Sequence, residues 1–337
     1  MESSLTLGEL KKKVDSYGEK FRMLKSELAR VIVGQDEIVQ STLLALVAGG
    51  HVLIEGAPGL GKTLLVRTLG EAMDLHFARV QFTPDLMPAD IVGTNIIVED
   101  ERGQKAFRFQ PGPVFTNLLL ADEINRATPK TQSALLEAMQ EQQVTVAGRT
   151  HSIEGVFFVV ATQNPIEMEG TYPLPEAQLD RFVYKLMIGY PSRADLIEVM
   201  RRTTADHDLH ASRVLTPDEL LEMRRLSREV ILAPHLEEMA ADIVIKTHGQ
   251  AEGAPGSARQ YVRFGASPRG AQAMILTAKA LALLSGRYNV SAADIAAVAR
   301  PSLRHRIILN FEGEADSIST DSIIDDVLDA VAAGRKL

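Results

Sequence analysis

The chain has 337 residues, of which 45% are hydrophobic, enough for one large domain or two smaller ones with a sizeable core. A formal net charge of -8 speaks against a broadly basic nucleic-acid surface, and 5% aromatic residues with no tryptophan speak against a stacking surface for single strands. There is no cysteine, so disulfides and thiolate metal sites are excluded.

Met1 to Lys13 is polar and charged, without the apolar core of a signal peptide, and no apolar run approaches the roughly 20 residues that span a membrane. A soluble cytoplasmic protein is the expectation. Thr6-Leu7-Gly8-Glu9 is a capping box and predicts a helix start. Val14, Tyr17, Phe21, Leu24, Leu28 and Val31 then follow at three- and four-residue steps, a single apolar stripe that packs either within its own domain or on a neighbouring subunit. A second helix is predicted from Asp36 to Ala48, stopped by Gly49-Gly50.

His51 to Glu55 is a short apolar run of the kind that forms a buried parallel strand. It runs into Gly56-Ala57-Pro58-Gly59-Leu60-Gly61-Lys62-Thr63, which fits G-x-x-x-x-G-K-[ST], and Leu64, Leu65, Thr68 and Leu69 continue at helical spacing. Strand, glycine loop, helix is the setting of a phosphate-binding loop. Its glycines let backbone N–H groups face a β-phosphate, and the helix start adds positive potential. Lys62 can reach the β- and γ-phosphates and Thr63 can hold Mg²⁺, so Gly56 through Leu64 is the candidate ATP-binding stretch.

Phe77 to Phe82 reads as a second strand, Thr83 to Ala89 as a short helix interrupted by proline, and Thr94 to Phe109 as a β-hairpin turning at Glu99 to Gly103. Phe115 to Asp122 holds a third strand, which closes on Asp122-Glu123. In an open parallel sheet ligands bind at that end of a strand. Asp122 then suits Mg²⁺ held through water, and Glu123 suits polarising the attacking water. Thr128-Pro129 starts the next helix, with Leu135, Leu136 and Met139 on its apolar face.

A second hairpin is predicted over Val144 to Ile153, turning at Ala147-Gly148-Arg149. A fourth strand spans Val156 to Ala161 and a fifth Val183 to Ile188. Asn164, just past the fourth, is placed to hydrogen-bond a γ-phosphate or the attacking water. Gln81, ending the second strand, is a candidate to hold Glu123 inactive. Strands alternating with helices predict a five-stranded parallel sheet with helices on both faces and two hairpin inserts.

From Ser192 the pattern is helical only, with starts at Ser192, Thr216 and Ser291 and a loop from Gly249 to Gly256. The division is therefore an N-terminal helix and α/β core over 1–191 and a helical lid over 192–337. Asp206-His207-Asp208-Leu209-His210 carries metal-capable side chains, but at a helix junction it reads as a solvated linker. Glu167, Glu169 and Glu176 have no partner base or metal motif and read as a loop facing a subunit interface.

Gly56 to Thr63, Ala121-Asp122-Glu123-Ile124-Asn125-Arg126-Ala127, Lys130 to Met139, Gln163-Asn164-Pro165 and Leu179-Asp180-Arg181-Phe182 together resemble the MoxR family of AAA+ ATPases, from about Ile32 to about Phe311. The resemblance implies an AAA+ P-loop NTPase core with a C-terminal all-helical lid, and Mg²⁺-dependent ATP hydrolysis in a hexameric ring. It implies that Val33-Gly34-Gln35 borders the adenine and that Asn164 is a first sensor. Arg181 would be an arginine finger for a neighbouring subunit's site. Arg269, in Gly265-Ala266-Ser267-Pro268-Arg269-Gly270, would be a second sensor bringing the lid onto the γ-phosphate. By residue type alone both are surface arginines. The hairpins match the helix-2 insert and pre-sensor-1 hairpin of that clade, which face the pore or the client. The implied role is chaperone-like remodelling of client complexes, often beside proteins with a von Willebrand factor A domain.

Two other readings stay open. A nucleic-acid motor of the same clade needs basic hairpin tips, whereas Glu99-Asp100-Glu101-Arg102 is net acidic and the second tip has only Arg149. A nucleotide-gated scaffold would lack Glu123 or Asn164, and both are present.

Overall fold

In the computed structural model, residues 7–99, 104–165, 170–204 and 210–334 are described. Helices α1 (Leu7–Val31) and α2 (Asp36–Ala48) precede β1 (Val52–Glu55), α3 (Lys62–Met73), β2 (Phe77–Gln81) and α4 (Pro88–Val92). The first hairpin is β3 (Gly93–Glu99) with β4 (Lys105–Pro111), followed by β5 (Leu118–Asp122) and α5 (Pro129–Glu141). The second hairpin, β6 (Gln143–Val146) with β7 (Arg149–Ser152), leads to β8 (Phe158–Gln163), α6 (Glu176–Leu179) and β9 (Tyr184–Met187). Then come α7 (Arg193–Thr204), α8 (Pro217–Glu229), α9 (Pro234–Lys246), α10 (Gly256–Tyr261), β10 (Val262–Phe264), α11 (Pro268–Leu284), α12 (Ala292–Leu303), β11 (Ile308–Leu309), α13 (Phe311–Ala315) and α14 (Thr320–Gly334).

The main sheet is five-stranded, in the order β2-β5-β8-β1-β9, and every pairing is parallel. Alternate residues go to opposite faces. Val52, Ile54, Leu120, Val160 and Tyr184 join one buried cluster with α1 to α3 and the C-terminal helices, while Leu53, Leu119, Val159 and Ala161 join a second with α5. Helices therefore cover both faces, as the sequence predicts. The first cluster continues into α8, α9, α11, α12 and α14, so the lid packs on the same sheet face as α2.

The α1 stripe from Val14 to Val31 is buried and lies against α3 and α11. Lys13 and Tyr17 bond Glu222, and Lys20 bonds Glu219, both on α8, so α1 ties core to lid within one chain. Thr6 of the predicted capping box lies outside the described residues. The later caps form as predicted, with the Thr216 and Ser291 side chains accepting from Glu219 and Asp294 N–H groups.

Several boundaries differ from expectation. The short helix is Pro88–Val92 rather than Thr83 to Ala89, because Pro84 and Pro88 hold the intervening chain in a turn until proline can occupy a first helical position. The fourth strand starts at Phe158 and runs to Gln163. Val156 and Phe157 are buried but unpaired, since an apolar run marks burial rather than hydrogen bonding. The lid also holds a short antiparallel ribbon, β10 with β11. The tip of the first hairpin, 100–103, lies outside the described residues; the second turns at Ala147-Gly148, both at positive φ, the two-residue geometry that suits a hairpin.

Candidate active site

Parallel register brings four chain segments to one edge of the sheet. Glu55 pairs with Gln163, Gln81 pairs with Asp122, and the phosphate loop leaves β1 at that edge, with Gly56 N–H donating to Gln163 O at 3.2 Å. Gly59 and Gly61 have φ of 79° and 80°, the left-handed region that side chains resist, so the loop needs glycine there. A Cβ on Gly56 would stand 2.8 Å from Ile188 O. No acid occupies the first turn of α3, which leaves its N–H groups and positive end open to an anion. Lys62 Nζ reaches back to Gly56 O at 2.6 Å and Ala57 O at 3.2 Å. Burial pushes its ammonium below the usual lysine range, while Asp122 and Glu123 nearby pull it back up.

Beside the loop is a cavity of about 820 Å³, lined by Val31, Ile32, Val33, Leu64, Leu196 and Val199. It has the size and apolar lining that suit a nucleoside. Val33 and Gln35 are on its wall, and Gly34 has positive φ with no room for a Cβ beside Asp195. Gln35 Nε2 donates to Leu60 O at 2.8 Å, clamping the loop, while its buried Oε1 has no protein partner. Glycine cradle, orphaned amide oxygen and cavity fit ATP. Thr63 in the first turn of α3 and the Asp122 carboxylate supply the hard oxygens that suit Mg²⁺.

The acids form a connected network. Asp122 Oδ1 accepts from Thr162 Oγ1 at 2.6 Å, and Asp122 Oδ2 accepts from Arg79 Nη2 at 2.7 Å. Glu123 takes a left-handed conformation, φ 56°, which turns its side chain out of the strand direction; its N–H donates to Thr162 Oγ1 at 2.8 Å. Gln81 Nε2 donates to Glu123 Oε2 at 2.7 Å, so the suspected contact exists, and Arg126 Nη1 joins the same oxygen at 3.1 Å. Asn164 is 5% exposed and directly follows β8 at this edge. Arg79, Arg126 and Thr162 were not singled out from the sequence. The available signal was period two: Arg79 shares a face of β2 with Gln81.

Arg181 and Arg269 are at the other edge. They line a cleft of about 230 Å³ with Gly50, His51, Gln140 and Arg228, at the residues that enter β1 rather than those that leave it. The strand between, rising about 3.3 Å per residue, separates this cleft from the chain's own phosphate loop. Within one chain, Arg269 therefore lies beside Arg181 rather than beside the chain's own phosphate loop. The lid packs on α2 and the β9 edge, and this directs the start of α11 toward Arg181.

Both arginines share a mount. Asp180 accepts from Ser267 Oγ at 2.8 and 2.9 Å and from Arg306 Nε at 2.7 Å, and Ser267 is the N-cap of the helix that carries Arg269. Arg306, 7% exposed, also donates to Phe182 O at 2.8 Å. Arg181 Nη1 bonds Leu136 O at 2.8 Å, which sets its direction. His51 is fully buried, its Nδ1 accepting from Val159 N–H at 3.0 Å and its Nε2 donating to Met139 O at 3.1 Å. Desolvation pushes its pKa down to about 4. Asp206, His207, Glu167 and Glu169 lie outside the described residues; His210 is described and bonds Glu71. Among the described residues no group of three or more His, Asp or Glu could hold a metal, and no helix is long and apolar enough to cross a membrane.

Comparison with known proteins agrees with this layout. Residues 51–184 match the model of the ATPase family associated with various cellular activities, and residues 257–327 match an AAA lid domain. The chain is 43% identical over 306 residues to the chaperone MoxR1 of Mycobacterium tuberculosis, covering 91% of this chain and 80% of that one. It is 30% identical over 315 residues to the protein MoxR of Paracoccus denitrificans, covering 88% and 91%. A crystal structure of a Cytophaga hutchinsonii protein superposes with a TM-score of 0.88 at 42% identity over 95% of this chain and 96% of that one. Fold, lid and sequence agree in one assignment: the chain belongs to the MoxR family of AAA+ ATPases.

Proposed function

We propose that the chain hydrolyses ATP with Mg²⁺ at a site shared between neighbouring copies in a hexameric ring, and uses the cycle to remodel client proteins. The observation that carries this reading is the split of the chemistry between two sheet edges. Phosphate loop, Asp122, Glu123 and Asn164 lie at one edge, and the Arg181–Arg269 cleft lies at the other. One copy has the acids without the arginines beside them, so a head-to-tail neighbour supplies what is missing.

In this scheme Gly56 to Thr63 hold the polyphosphate through backbone N–H groups, Lys62 leaves the loop carbonyls for the β/γ-phosphates, and Thr63 with Asp122 holds Mg²⁺. Bound Mg²⁺ supplies charge neutralisation at the phosphate oxygens. Glu123 turns from Gln81 to accept a proton from the attacking water, and Asn164 orients that water. Arg181 and Arg269 of the next copy neutralise charge developing on the transferring group. The client role, including partners with a von Willebrand factor A domain, is carried from family resemblance, and the relative named a chaperone supports it; a cytoplasmic location is read from the polar N-terminus and the lack of an apolar span in the sequence.

The test is subunit mixing. Arg181→Ala and Glu123→Gln should each be nearly inactive alone. After exchange, roughly a quarter of interfaces should pair an intact Glu123 with an intact Arg181, if assembly is random. A finger worth about 10³–10⁵ in rate makes those sites visible in phosphate release. A mixture no faster than the average of its parts, with exchange confirmed by labelled subunits, rejects the shared site.

A further inference from the structure

Arg79 has no part in the scheme above, yet it is the cation in closest contact with the metal-holding acid. It is on β2, the edge strand of the sheet, two residues before Gln81 and on the same face. Among the described residues no strand pairs beyond β2, so a long side chain there can lie across the end of β5. Its guanidinium does so with three bonds: Nη2 to Asp122 Oδ2 at 2.7 Å, Nε to the same oxygen at 3.2 Å, and Nη2 to Gln81 Oε1 at 2.9 Å. Gln81 in turn donates to Glu123 Oε2 at 2.7 Å. One side chain thus fixes the positions of both acids. Thr162, on β8, takes Asp122 Oδ1 at 2.6 Å, so with Arg79 on Oδ2 the carboxylate is held from both neighbouring strands.

A guanidinium and a hydrated divalent ion compete for the negative charge of that carboxylate, and their like charges repel at short range. With its side chain about half exposed, Arg79 can leave for solvent without losing a buried position. We propose that Arg79 is a positioning residue that pairs with the Asp122 carboxylate in the nucleotide-free protein, keeps Glu123 held through Gln81, and lowers the site's affinity for a divalent cation until nucleotide loads. The inference rests on the reading of Asp122 as the metal-holding acid.

The experiment titrates Mn²⁺ alone into the full-length, nucleotide-free protein and follows bound metal by electron paramagnetic resonance. It compares wild type with Arg79→Gln, Arg79→Met and Asp122→Asn. Arg79→Gln removes the charge while keeping a donor, and should bind Mn²⁺ on the order of fivefold tighter than wild type, the worth of one half-exposed ion pair. Arg79→Met has a similar length and carries the same expectation, so the test survives if the glutamine variant does not fold. The sign is what discriminates. A merely structural anchor, once lost, loosens Asp122 and weakens metal binding. Unchanged or weaker binding in the Arg79 variants, with Asp122→Asn clearly weaker than wild type, overturns the proposal and leaves the metal reading intact. Wild-type affinity in Asp122→Asn sinks the metal reading itself, and the proposal with it.

Discussion

At the C-terminal end of β1 the backbone does most of the binding; at its N-terminal end side chains do. The phosphate loop needs glycine at Gly59 and Gly61 because of their positive φ, and little about Pro58 or Leu60 is demanded by the phosphates. The arginine cleft has no such backbone device. Its positive groups are held by side-chain bonds, Asp180 to Ser267 and Arg306, and Arg181 to Leu136 O. A backbone site is assembled as soon as its strand and helix form. A side-chain site exists only when the lid has docked on the sheet, so it is the end that a conformational change can adjust.

This contrast has separable kinetic consequences. Arg181→Ala should lower kcat by about 10³–10⁵ while ATP affinity stays near wild type, because in the proposed scheme the lost group acts on the transition state at another copy's site. If instead ATP affinity collapses in that variant, both ends serve one site in one chain and the contrast is wrong. Glu123→Gln should lower hydrolysis by roughly 10²–10⁴ with binding retained, since the amide keeps the shape but cannot act as base. Lys62→Ala should weaken ATP by on the order of a hundredfold, the loss of a charge-assisted contact, as read by fluorescent-nucleotide titration. Affinity unchanged in Lys62→Ala would remove the phosphate loop from nucleotide binding.

The same contrast explains how much was legible in the sequence. The loop could be read because its chemistry imposes residue types at fixed offsets, and Asp122-Glu123 because an apolar strand closing on two acids comes with that loop. The sheet, both hairpins and the caps at Thr216 and Ser291 followed from periodicity and local capping. The convergence of Arg181 with Arg269 was not readable from periodicity, since the two are far apart in sequence and meet only through lid docking. Family resemblance named both residues, but not that they share one cleft. Arg79 stayed hidden because an arginine on an edge strand looks like ordinary solvation until β5 is laid beside it.

The smallest effect concerns whether the N-terminal end is as dry as its packing makes it. His51 enters β1 and lines the arginine cleft, with Phe157 edge-on to its ring at 5.5 Å. Its pKa falls to about 4 in the folded chain, against about 6.5 when unfolded, first through desolvation. A histidine whose folded pKa is depressed favours folding while it is neutral. That contribution is complete above pH 6.5, where neither state is protonated, and it is lost as pH falls from 6.5 toward 4, where the unfolded chain takes up the proton first. At about 1.4 kcal/mol per unit, the loss by pH 4 is at most about 3 kcal/mol. His305 is pushed down by burial too and adds in the same direction. Urea midpoints for wild type and His51→Asn, measured from pH 8 to pH 4, isolate the His51 share. The variant should be less stable at pH 8, where it loses two buried hydrogen bonds, but should show a shallower fall toward acid. Parallel pH profiles would mean that the ring is protonated without cost. The N-terminal end would then be wet, and its arginines would be screened by water rather than held ready for a neighbour's phosphate.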